Sequence, residues 1–226
     1  MTPPPPPGAL AATEDLDELS AQELLAHVVE LFHPRLYVAC SFQKETSVMI
    51  DMLMRIEPEV RLFTLDTGLF FPETYATWRE LERRYGVAIE VHEGISLRKQ
   101  AELHGPELWE RDPDACCGLR KVSPLQEALS EVDAWVTGLR RDHAPERANT
   151  SKFAWDPKHA IWKANPLADW TDRDIWRYIH THDLPYNSLH DRGYGSIGCT
   201  HCTLPGKGRE GRWAGRDKVD CGLHAG

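Results

Sequence analysis

Four of the six cysteines form a two-plus-two pattern that is typical of a metal centre. Cys116 and Cys117 are adjacent, and Cys199 and Cys202 are the ends of a C-x-x-C motif. A disulfide between adjacent cysteines would close a strained ring, so we do not expect a local bridge. Four thiolates can instead hold a [4Fe–4S] cluster or a tetrahedral Zn²⁺ ion, and the spacing favours the cluster because structural zinc sites more often use two short C-x₂₋₄-C pairs. Four unrelated buried cysteines are the alternative.

Cys221 stands apart from this pattern and has the setting of a mobile nucleophile. It lies in a glycine-containing stretch that runs from Lys218 to His224. Its neighbour Asp220 disfavours the thiolate, so reactivity requires nearby cations, which Lys218, His224 or arginines from elsewhere could supply. The alternative is an incidental exposed thiol. Cys40 shares no spacing with the others and is predicted to be a small core residue at the end of a buried strand.

Positively charged side chains cluster at several points of the chain. Two stretches each carry three arginines: Arg140, Arg141 and Arg147 in the first, and Arg209, Arg212 and Arg216 in the second. Guanidinium groups bind phosphate and sulfate oxygens through paired hydrogen bonds, whereas a charge cluster alone is often a solvated surface. Lys121 follows Cys117 at about one helical turn and could offset the negative charge of a thiolate-ligated cluster.

The elements that must position these residues alternate between strands and amphipathic helices. Ser20 and Glu23 form a capping box before a helical stripe, and Thr171 and Asp174 cap a later helix. Buried strands are predicted over residues 36–40, 60–65, 87–91, 134–139 and 160–164, and further helices over 48–56 and 72–85 and from residue 123. This alternation predicts an α/β fold with a doubly wound, mostly parallel sheet and an irregular C-terminal tail.

Three polar loops directly follow predicted strands. They are Ser41–Ser47, Asp66–Gly68 and Gly138–His143, and we expect them to meet at the carboxyl edge of the sheet, where such folds bind ligands. The first loop can offer hydroxyls and helix N-terminal amides to an anion, although an ordinary N-cap is an equal alternative. It is neither a Walker A loop nor a G-x-G-x-x-G fingerprint. The second could hold a ribose or base edge, or be a common turn.

Length and charge limit the domain organisation and the partners. The chain has 226 residues and a formal net charge of -9 at pH 7, which disfavours non-specific binding to nucleic acid or membranes. Residues 1–19 are predicted to be a disordered proline-rich and acidic tail, 20–195 an α/β domain, and 196–226 a segment packed on that domain. No secretory signal or membrane span is predicted, so we expect a cytoplasmic location. A homo-oligomer is left open.

The motifs together are similar to those of a known family. They are Ser41-Phe42-Gln43-Lys44-Glu45, Leu65-Asp66-Thr67-Gly68, Cys116-Cys117 with Lys121, Gly138-Leu139-Arg140-Arg141, Cys199-Thr200-His201-Cys202, Arg209-Glu210-Gly211-Arg212-Trp213 and Cys221-Gly222-Leu223-His224. From about Leu36 onward the chain resembles the assimilatory adenylyl-sulfate reductases, the iron–sulfur branch of the family that contains the phosphoadenylyl-sulfate reductases. The resemblance implies a fold of the adenine-nucleotide alpha-hydrolase-like (PP-loop) type.

The resemblance also implies roles for particular residues. It implies that the nucleotide site is lined by Ser41, Gln43 and Glu45, bordered by Asp66, Thr67 and Gly68, and supplied with a phosphosulfate-binding cation by Arg140. It implies that Cys116, Cys117, Cys199 and Cys202 hold one [4Fe–4S] cluster. It implies that catalysis uses Cys221 as the nucleophile with Lys121, Arg209, Arg212 and His224 as its cations.

The reaction implied by the resemblance is the reduction of adenosine 5'-phosphosulfate to sulfite and AMP. Cys221 would carry an S-sulfo group, and thioredoxin would be the reductant. One alternative is the reduction of phosphoadenylyl sulfate. Another is an adenylating sulfurtransferase of the PP-loop type, which would be expected to keep a Ser-Gly-Gly-x-Asp loop that is not found here. A zinc-stabilised binding module would leave Cys221 and the three loops unexplained.

Overall fold

A computed structural model describes residues 15–224 of the chain. The helices are α1 (Ala21–Phe32), α2 (Lys44–Met54), α3 (Pro72–Tyr85), α4 (Leu97–His104), α5 (Leu108–Arg111), α6 (Pro113–Cys117), α7 (Ser123–Leu129) and α8 (Asp172–Thr181). The strands are β1 (Leu36–Ala39), β2 (Arg61–Asp66), β3 (Ile89–Glu93), β4 (Ala134–Val136), β5 (Phe153–Asp156) and β6 (Ile161–Ala164). Short 3₁₀ turns complete the connections.

The six strands form one sheet in the order β3-β2-β1-β4-β6-β5. All neighbours are parallel except β5, which pairs antiparallel with β6. The chain moves outward from β1 to β3 and then returns to place β4 on the other side of β1. Strand order therefore reverses between β1 and β4, which creates a crevice at their carboxyl ends. The predicted doubly wound, mostly parallel sheet is confirmed.

Both faces of the sheet are covered, as side-chain alternation along the strands requires. Leu36 and Val38 of β1 pack into the larger core cluster with α1, α2 and α8. Tyr37 points to the opposite face, where it packs with Trp135 of β4 and with Leu125 of α7. Among residues 15–224, no helix is long and apolar enough to cross a membrane.

Helix starts follow the capping signals in the sequence. At α1, the Ser20 hydroxyl accepts a hydrogen bond from the Glu23 backbone N–H at 3.3 Å, and the Glu23 carboxylate accepts one from the Ser20 N–H at 2.8 Å. Thr171 and Asp174 form the same reciprocal pair at α8. Each pair satisfies backbone donors that the first turn of a helix leaves without intrahelical partners. Both predicted helix starts are confirmed.

Several elements differ from expectation because tertiary packing forms them. Strand β5 and helices α4 and α5 were not expected, and α4 lacks an apolar stripe, with Gln100 as its buried residue among those described. A π-helical turn (Gly118–Val122) joins α6 to α7, so the paired cysteines lie on a longer helical stretch. Of the predicted tail, residues 1–14 lie outside the described residues, while Asp15–Glu18 forms a 3₁₀ turn with Leu16 in the core.

We predict that Leu53→Ala lowers the free energy of unfolding by about 2–5 kcal/mol, because it leaves a cavity under the sheet. Leu53 is fully buried in α2. The matched control is Leu103→Ala on α4, where the side chain is 60% exposed, and this change should alter stability by less than about 0.5 kcal/mol. Urea unfolding measures both, and equal losses in the two variants would contradict the described core.

Candidate active site

A cavity opens at the carboxyl ends of β1, β2 and β4, at the point where strand order reverses. It encloses about 1100 Å³ including its open mouth. Ser41 follows β1, Leu65 is the penultimate residue of β2 and Gly138 follows β4, and all three line the cavity. The location agrees with the general position of ligand sites in such sheets. We call the residues that line this space the cavity wall.

The loop after β1 is held in place by groups from distant parts of the chain. The Ser41 N–H donates to the Thr46 hydroxyl at 3.0 Å. The side-chain oxygen of Gln43 accepts a hydrogen bond from the Ile197 N–H at 2.8 Å, which ties this loop to the segment after α8. Phe42, in the left-handed region with a φ of 57°, stacks on Trp78 at 5.0 Å. Ser41 and Gln43 therefore line the cavity on a fixed backbone.

Glu45, also in the cavity wall, is the centre of a buried ionic network. Its Oε1 atom lies 3.1 Å from Arg140 Nε and 3.0 Å from His143 Nε2. Burial alone would raise the pKa of Glu45, but His143, Arg140 and Lys44 together hold the pKa well below its usual range. Arg140 also pairs with Asp172 at 3.1 Å. The carboxylate is therefore ionised, and its Oε1 atom is engaged by two cationic side chains.

Arg140, predicted to bind phosphosulfate, is 2% exposed and is not part of the cavity wall among the described residues. Its guanidinium nitrogens are taken by Glu45, Asp142, Asp172 and the carbonyl oxygen of Trp170. Four of its five N–H donors are used in this way, so Arg140 holds the surrounding loops together. A direct contact of Arg140 with substrate stays a prediction.

The loop Asp66–Gly68 makes polar contacts with neighbouring elements beside the cavity. The Asp66 carboxylate accepts hydrogen bonds from the Gly68 N–H and the Tyr75 hydroxyl, both at 2.8 Å. The hydroxyl of Thr67 lies 3.3 Å from the Cys199 sulfur, and its carbonyl accepts a hydrogen bond from Arg120 at 2.6 Å. Among residues 15–224, the cavity wall does not include Asp66, Thr67 or Gly68. Their predicted contact with the nucleoside is untested.

The four patterned cysteines lie together around a second, smaller pocket, which we call the cysteine pocket. Cys116 and Cys117 reach it from the end of α6, and Cys199 and Cys202 from a 3₁₀ turn. Within the described range all six cysteines are free thiols. Burial raises the pKa of Cys116 and of Cys117 to about 11, so binding a metal there would require the release of protons.

The cysteine pocket fits an iron–sulfur cluster in the number and chemistry of its donors. Four thiols of one kind line it, together with Lys121, Arg120 and Arg212 as cations. Cationic neighbours suit a cluster that four thiolates make negatively charged. Over residues 15–224 no group of three or more His, Cys, Asp or Glu side chains is already arranged to hold a metal ion.

Cations are concentrated where the two pockets meet. Lys121 and Arg212 line both the cavity and the cysteine pocket, and Arg147 and Arg209 line the cavity. Burial, with Arg147 and Arg212 close by, lowers the pKa of Arg209 to about 10. A Cβ atom on Gly198 would stand 2.5 Å from the Arg212 guanidinium, so glycine is needed there to admit the arginine. Such a cluster is electrostatically suited to a multiply charged anion.

The segment Lys218–His224, which we call the tail segment, folds against the cavity. Cys221 and His224 are in the cavity wall. His224 stacks on Trp135 with ring centroids 5.4 Å apart. Burial, with Lys163, Arg147 and Arg209 nearby, lowers the pKa of His224 well below its usual value. The sequence predicts a cation at His224, but these surroundings favour the neutral imidazole.

Comparison with known proteins identifies the family. The profile of the phosphoadenosine phosphosulfate reductase domain matches residues 35–205. The adenosine 5'-phosphosulfate reductase of Bacillus velezensis is 44% identical over 222 residues, which are 96% of this chain and 95% of that protein. The chain belongs to the phosphoadenosine phosphosulfate reductase family. The adenosine 5'-phosphosulfate reductase of Salinibacter ruber is 49% identical over 183 residues, covering 78% of this chain and 73% of that protein.

A solved structure of the same family supports the fold. The phosphoadenylyl-sulfate reductase of Candida auris, in a phosphate complex, matches with a TM-score of 0.77 at 33% identity, covering 87% of this chain and 98% of that chain. The predicted PP-loop type of α/β fold and the resemblance to adenylyl-sulfate reductases are both confirmed.

Two site features of this family member were not predicted. Arg147 lies in the cavity wall, although the sequence groups it only with a cluster of candidate anion-binding arginines. Its position after Pro145 on a second 3₁₀ turn was not readable from a pattern. Asp220 pairs with Arg147 at 3.2 Å and with Arg209 at 3.6 Å. The negative charge of Asp220, beside Cys221, is therefore paired with two arginines of the cavity wall.

We predict that Glu45→Gln lowers the free energy of unfolding at pH 7 by about 3–5 kcal/mol, because Arg140 then lies buried without this carboxylate. The pKa of Glu45 is lower in the folded protein than its ordinary 4.5, so its contribution is fully present above that pH and is lost as the pH falls below it. Urea unfolding at several pH values should show the gap between wild type and variant narrowing in acid.

The matched control for this prediction is Glu30→Gln, which removes the same charge from an exposed position on α1. Its stability should stay within about 0.5 kcal/mol of wild type at every pH. A gap between wild type and Glu45→Gln that is the same at neutral and acid pH would contradict the ionic role of Glu45.

Proposed function

We propose that this protein reduces adenosine 5'-phosphosulfate to sulfite and AMP. The observation that carries the proposal is that the thiol-bearing Cys221 lines the same cavity as Lys121, Arg209 and Arg212. A nucleophile and several cations thus surround one space where this class of sheet binds ligands. The two relatives named adenosine 5'-phosphosulfate reductase, at 44% and 49% identity, support this substrate.

The nucleotide is assigned to the loops at the carboxyl edge of the sheet. Ser41, Gln43 and Glu45 belong to the cavity wall and would receive it. The loop Asp66–Gly68 adjoins wall residue Leu65 and would shape the border of the nucleoside site. Arg140 would act on the phosphosulfate indirectly, by holding Glu45 and the loop after β4 in place.

In the first chemical step, the Cys221 thiolate attacks the sulfur atom of the phosphosulfate. A bond forms between Sγ and that sulfur, the bond from sulfur to the bridging oxygen breaks, and AMP leaves with the electron pair. The protein then carries an S-sulfo group on Cys221. Both reactants are anionic, so Lys121, Arg209 and Arg212 would lower the barrier by neutralising charge. One such contact is commonly worth about 3–4 kcal/mol.

In the second step, an external dithiol attacks Sγ of Cys221 and sulfite leaves. The resulting mixed disulfide is resolved by the second thiol of the dithiol, which regenerates Cys221. Two electrons pass from the dithiol to the sulfate sulfur, and the two thiol protons are released. Within the described residues, the other cysteine outside the patterned four is Cys40, which is buried and whose pKa burial raises far above its usual value.

We therefore assign the reducing role to a partner dithiol, and thioredoxin is the proposed reductant. A buried thiol with a raised pKa is a poor attacking group, so Cys40 cannot readily replace it. A dithiol reductant also works in a compartment where thiols are kept reduced, which agrees with the predicted cytoplasmic location.

Cys116, Cys117, Cys199 and Cys202 are proposed to hold one [4Fe–4S] cluster. Four free thiols that line one pocket match the number and type of ligands that such a cluster uses. When bound, the cluster would supply a compact negatively charged group at the boundary of the two pockets. Lys121 and Arg212 would balance this charge while also lining the substrate cavity.

We predict that Cys221→Ser forms no S-sulfo adduct with adenosine 5'-phosphosulfate, because the attacking sulfur is gone. Wild-type protein incubated with this nucleotide and no reductant should gain the mass of one SO₃ group, and peptide mass spectrometry should locate it at Cys221. The variant should still bind AMP with wild-type affinity, which shows that its site is intact. An adduct on Cys221→Ser would disprove the assignment of the nucleophile.

The choice of nucleotide is tested by sulfite release with thioredoxin, run in parallel with adenosine 5'-phosphosulfate and phosphoadenylyl sulfate. The proposal expects the first to be turned over faster. Faster turnover of phosphoadenylyl sulfate would favour the alternative activity, which is the one named for the Candida auris relative at 33% identity. ATP-dependent sulfur transfer to tRNA, with neither sulfate nucleotide reduced, would favour an adenylating sulfurtransferase.

We predict that protein purified without oxygen contains about four iron atoms per chain, the stoichiometry of a single [4Fe–4S] cluster. Cys116→Ser and Cys199→Ser should each lose most of this iron and the associated visible absorption. Cys40→Ala should keep both, since Cys40 lies outside the cysteine pocket. Metal analysis that finds zinc in place of iron would overturn the cluster.

A further inference from the structure

The carboxylate of Asp220, the residue before the proposed nucleophile, lies between two arginines of the cavity wall. Its Oδ2 atom is 3.2 Å from Arg147 Nη2 and 3.6 Å from Arg209 Nη2. The side chains are sheltered, with 12% of each arginine and 21% of the aspartate exposed. Charge pairs protected from solvent are screened far less than pairs on an open surface.

The same carboxylate shapes the backbone around the nucleophile. Its Oδ1 atom accepts a hydrogen bond from the Gly222 N–H at 2.8 Å. Gly222 has a φ of +81°, a left-handed conformation that closes this turn and that glycine adopts without strain. Arg209 also donates to the Val219 carbonyl at 2.9 Å. The chain on both sides of Cys221 is therefore tied to the cavity wall through Asp220 and Arg209.

Asp220 is also the carboxylate partner that these two arginines share. Across residues 15–224, every ion pair of Arg147 and Arg209 is formed with Asp220. Both guanidinium groups belong to the wall of the cavity that would take the phosphosulfate. An anionic ligand in the cavity would therefore meet arginines that are already paired with the Asp220 carboxylate.

We propose that Asp220 is a positioning residue that also takes the place of the substrate anion while the cavity is empty. The proposal rests on the function proposed above, and adds that the sulfate nucleotide competes with Asp220 for Arg147 and Arg209. When the nucleotide takes the guanidinium groups, the Asp220 carboxylate is released from them. When the cavity is empty again, the carboxylate returns to Arg147 and Arg209.

Two consequences follow for a neutral residue at position 220. Cys221 becomes more accessible in the nucleotide-free protein, because the tail segment has lost one of the contacts that hold it to the cavity wall. AMP binds more tightly, because its phosphate no longer competes with a carboxylate for the same cations. A coupling of ordinary size makes the gain in AMP affinity roughly tenfold. An aspartate with a purely structural role would instead weaken AMP binding when it is replaced.

The test compares Asp220→Asn with wild type in two measurements that do not depend on turnover. The first is the rate of Cys221 alkylation by iodoacetamide, taken at the high-pH plateau where the thiol is fully ionised, so that the rate reports access rather than acidity. The second is the dissociation constant of AMP by calorimetry. We expect a several-fold faster plateau rate and roughly tenfold tighter AMP binding. A plateau rate equal to wild type, or weaker AMP binding, overturns the proposal.

Two variants serve as controls. Asp220→Glu keeps the charge, so its alkylation rate and AMP dissociation constant should be close to those of wild type. Asp217→Asn removes the same charge from an exposed residue just before the tail segment, and both measurements should remain at wild-type values. If Asp217→Asn reproduces the effects of Asp220→Asn, general charge rather than the contact with Arg147 and Arg209 is responsible, and the proposal fails.

Turnover separates this inference from the proposed function. With adenosine 5'-phosphosulfate and thioredoxin, Asp220→Asn should lower KM, because the substrate no longer competes with a carboxylate for Arg147 and Arg209. Suppose that wild-type protein releases no sulfite, while Asp220→Asn shows the expected changes in alkylation rate and AMP affinity. The proposed reductase reaction would then be wrong, and the competition between Asp220 and the nucleotide would still hold. If wild type releases sulfite but Asp220→Asn changes neither the alkylation rate nor the AMP affinity, the reaction holds and the competition is wrong.

Discussion

The buried ion pair between Glu45 and Arg140 is the interaction on which the geometry of the site depends. It joins the first turn of α2 to the loop after β4, across the place where strand order reverses, and Asp172 extends it to α8. The two side chains are 4% and 2% exposed. A buried pair of this kind is stable only when every partner is in place, so the loops that it joins cannot shift independently.

A second constraint is the balance of charge around the cavity. The chain is acidic as a whole, yet Lys121, Arg147, Arg209 and Arg212 face one space. Mutual repulsion of these cations favours a bound anion, and Asp220 supplies one from the protein itself. Lys121 and Arg212 line the cysteine pocket as well, so a change of charge in one pocket acts directly on the other.

Much of the fold was predictable from local patterns. The capping boxes at Ser20 and Thr171 and five of the strands were readable because capping and alternation are properties of neighbouring residues. Strand β5 was not readable, since it is a short edge strand that exists by pairing with β6. Helix α4 was not readable either, because it buries almost no apolar surface and so lacks a helical stripe.

The sequence by itself determined which reactive groups are present and which strand ends carry them, because motif spacing and side-chain chemistry are local. It thereby indicated two-plus-two thiols, a separate Cys221 and three polar loops at one edge of the sheet. Only the tertiary structure decided that Arg140 lies within an ionic network while Arg147 lines the cavity, and that Asp220 pairs with Arg147, which is 73 residues from it in the chain. Such pairings depend on how helices and loops pack across the sheet, and no local pattern encodes that packing.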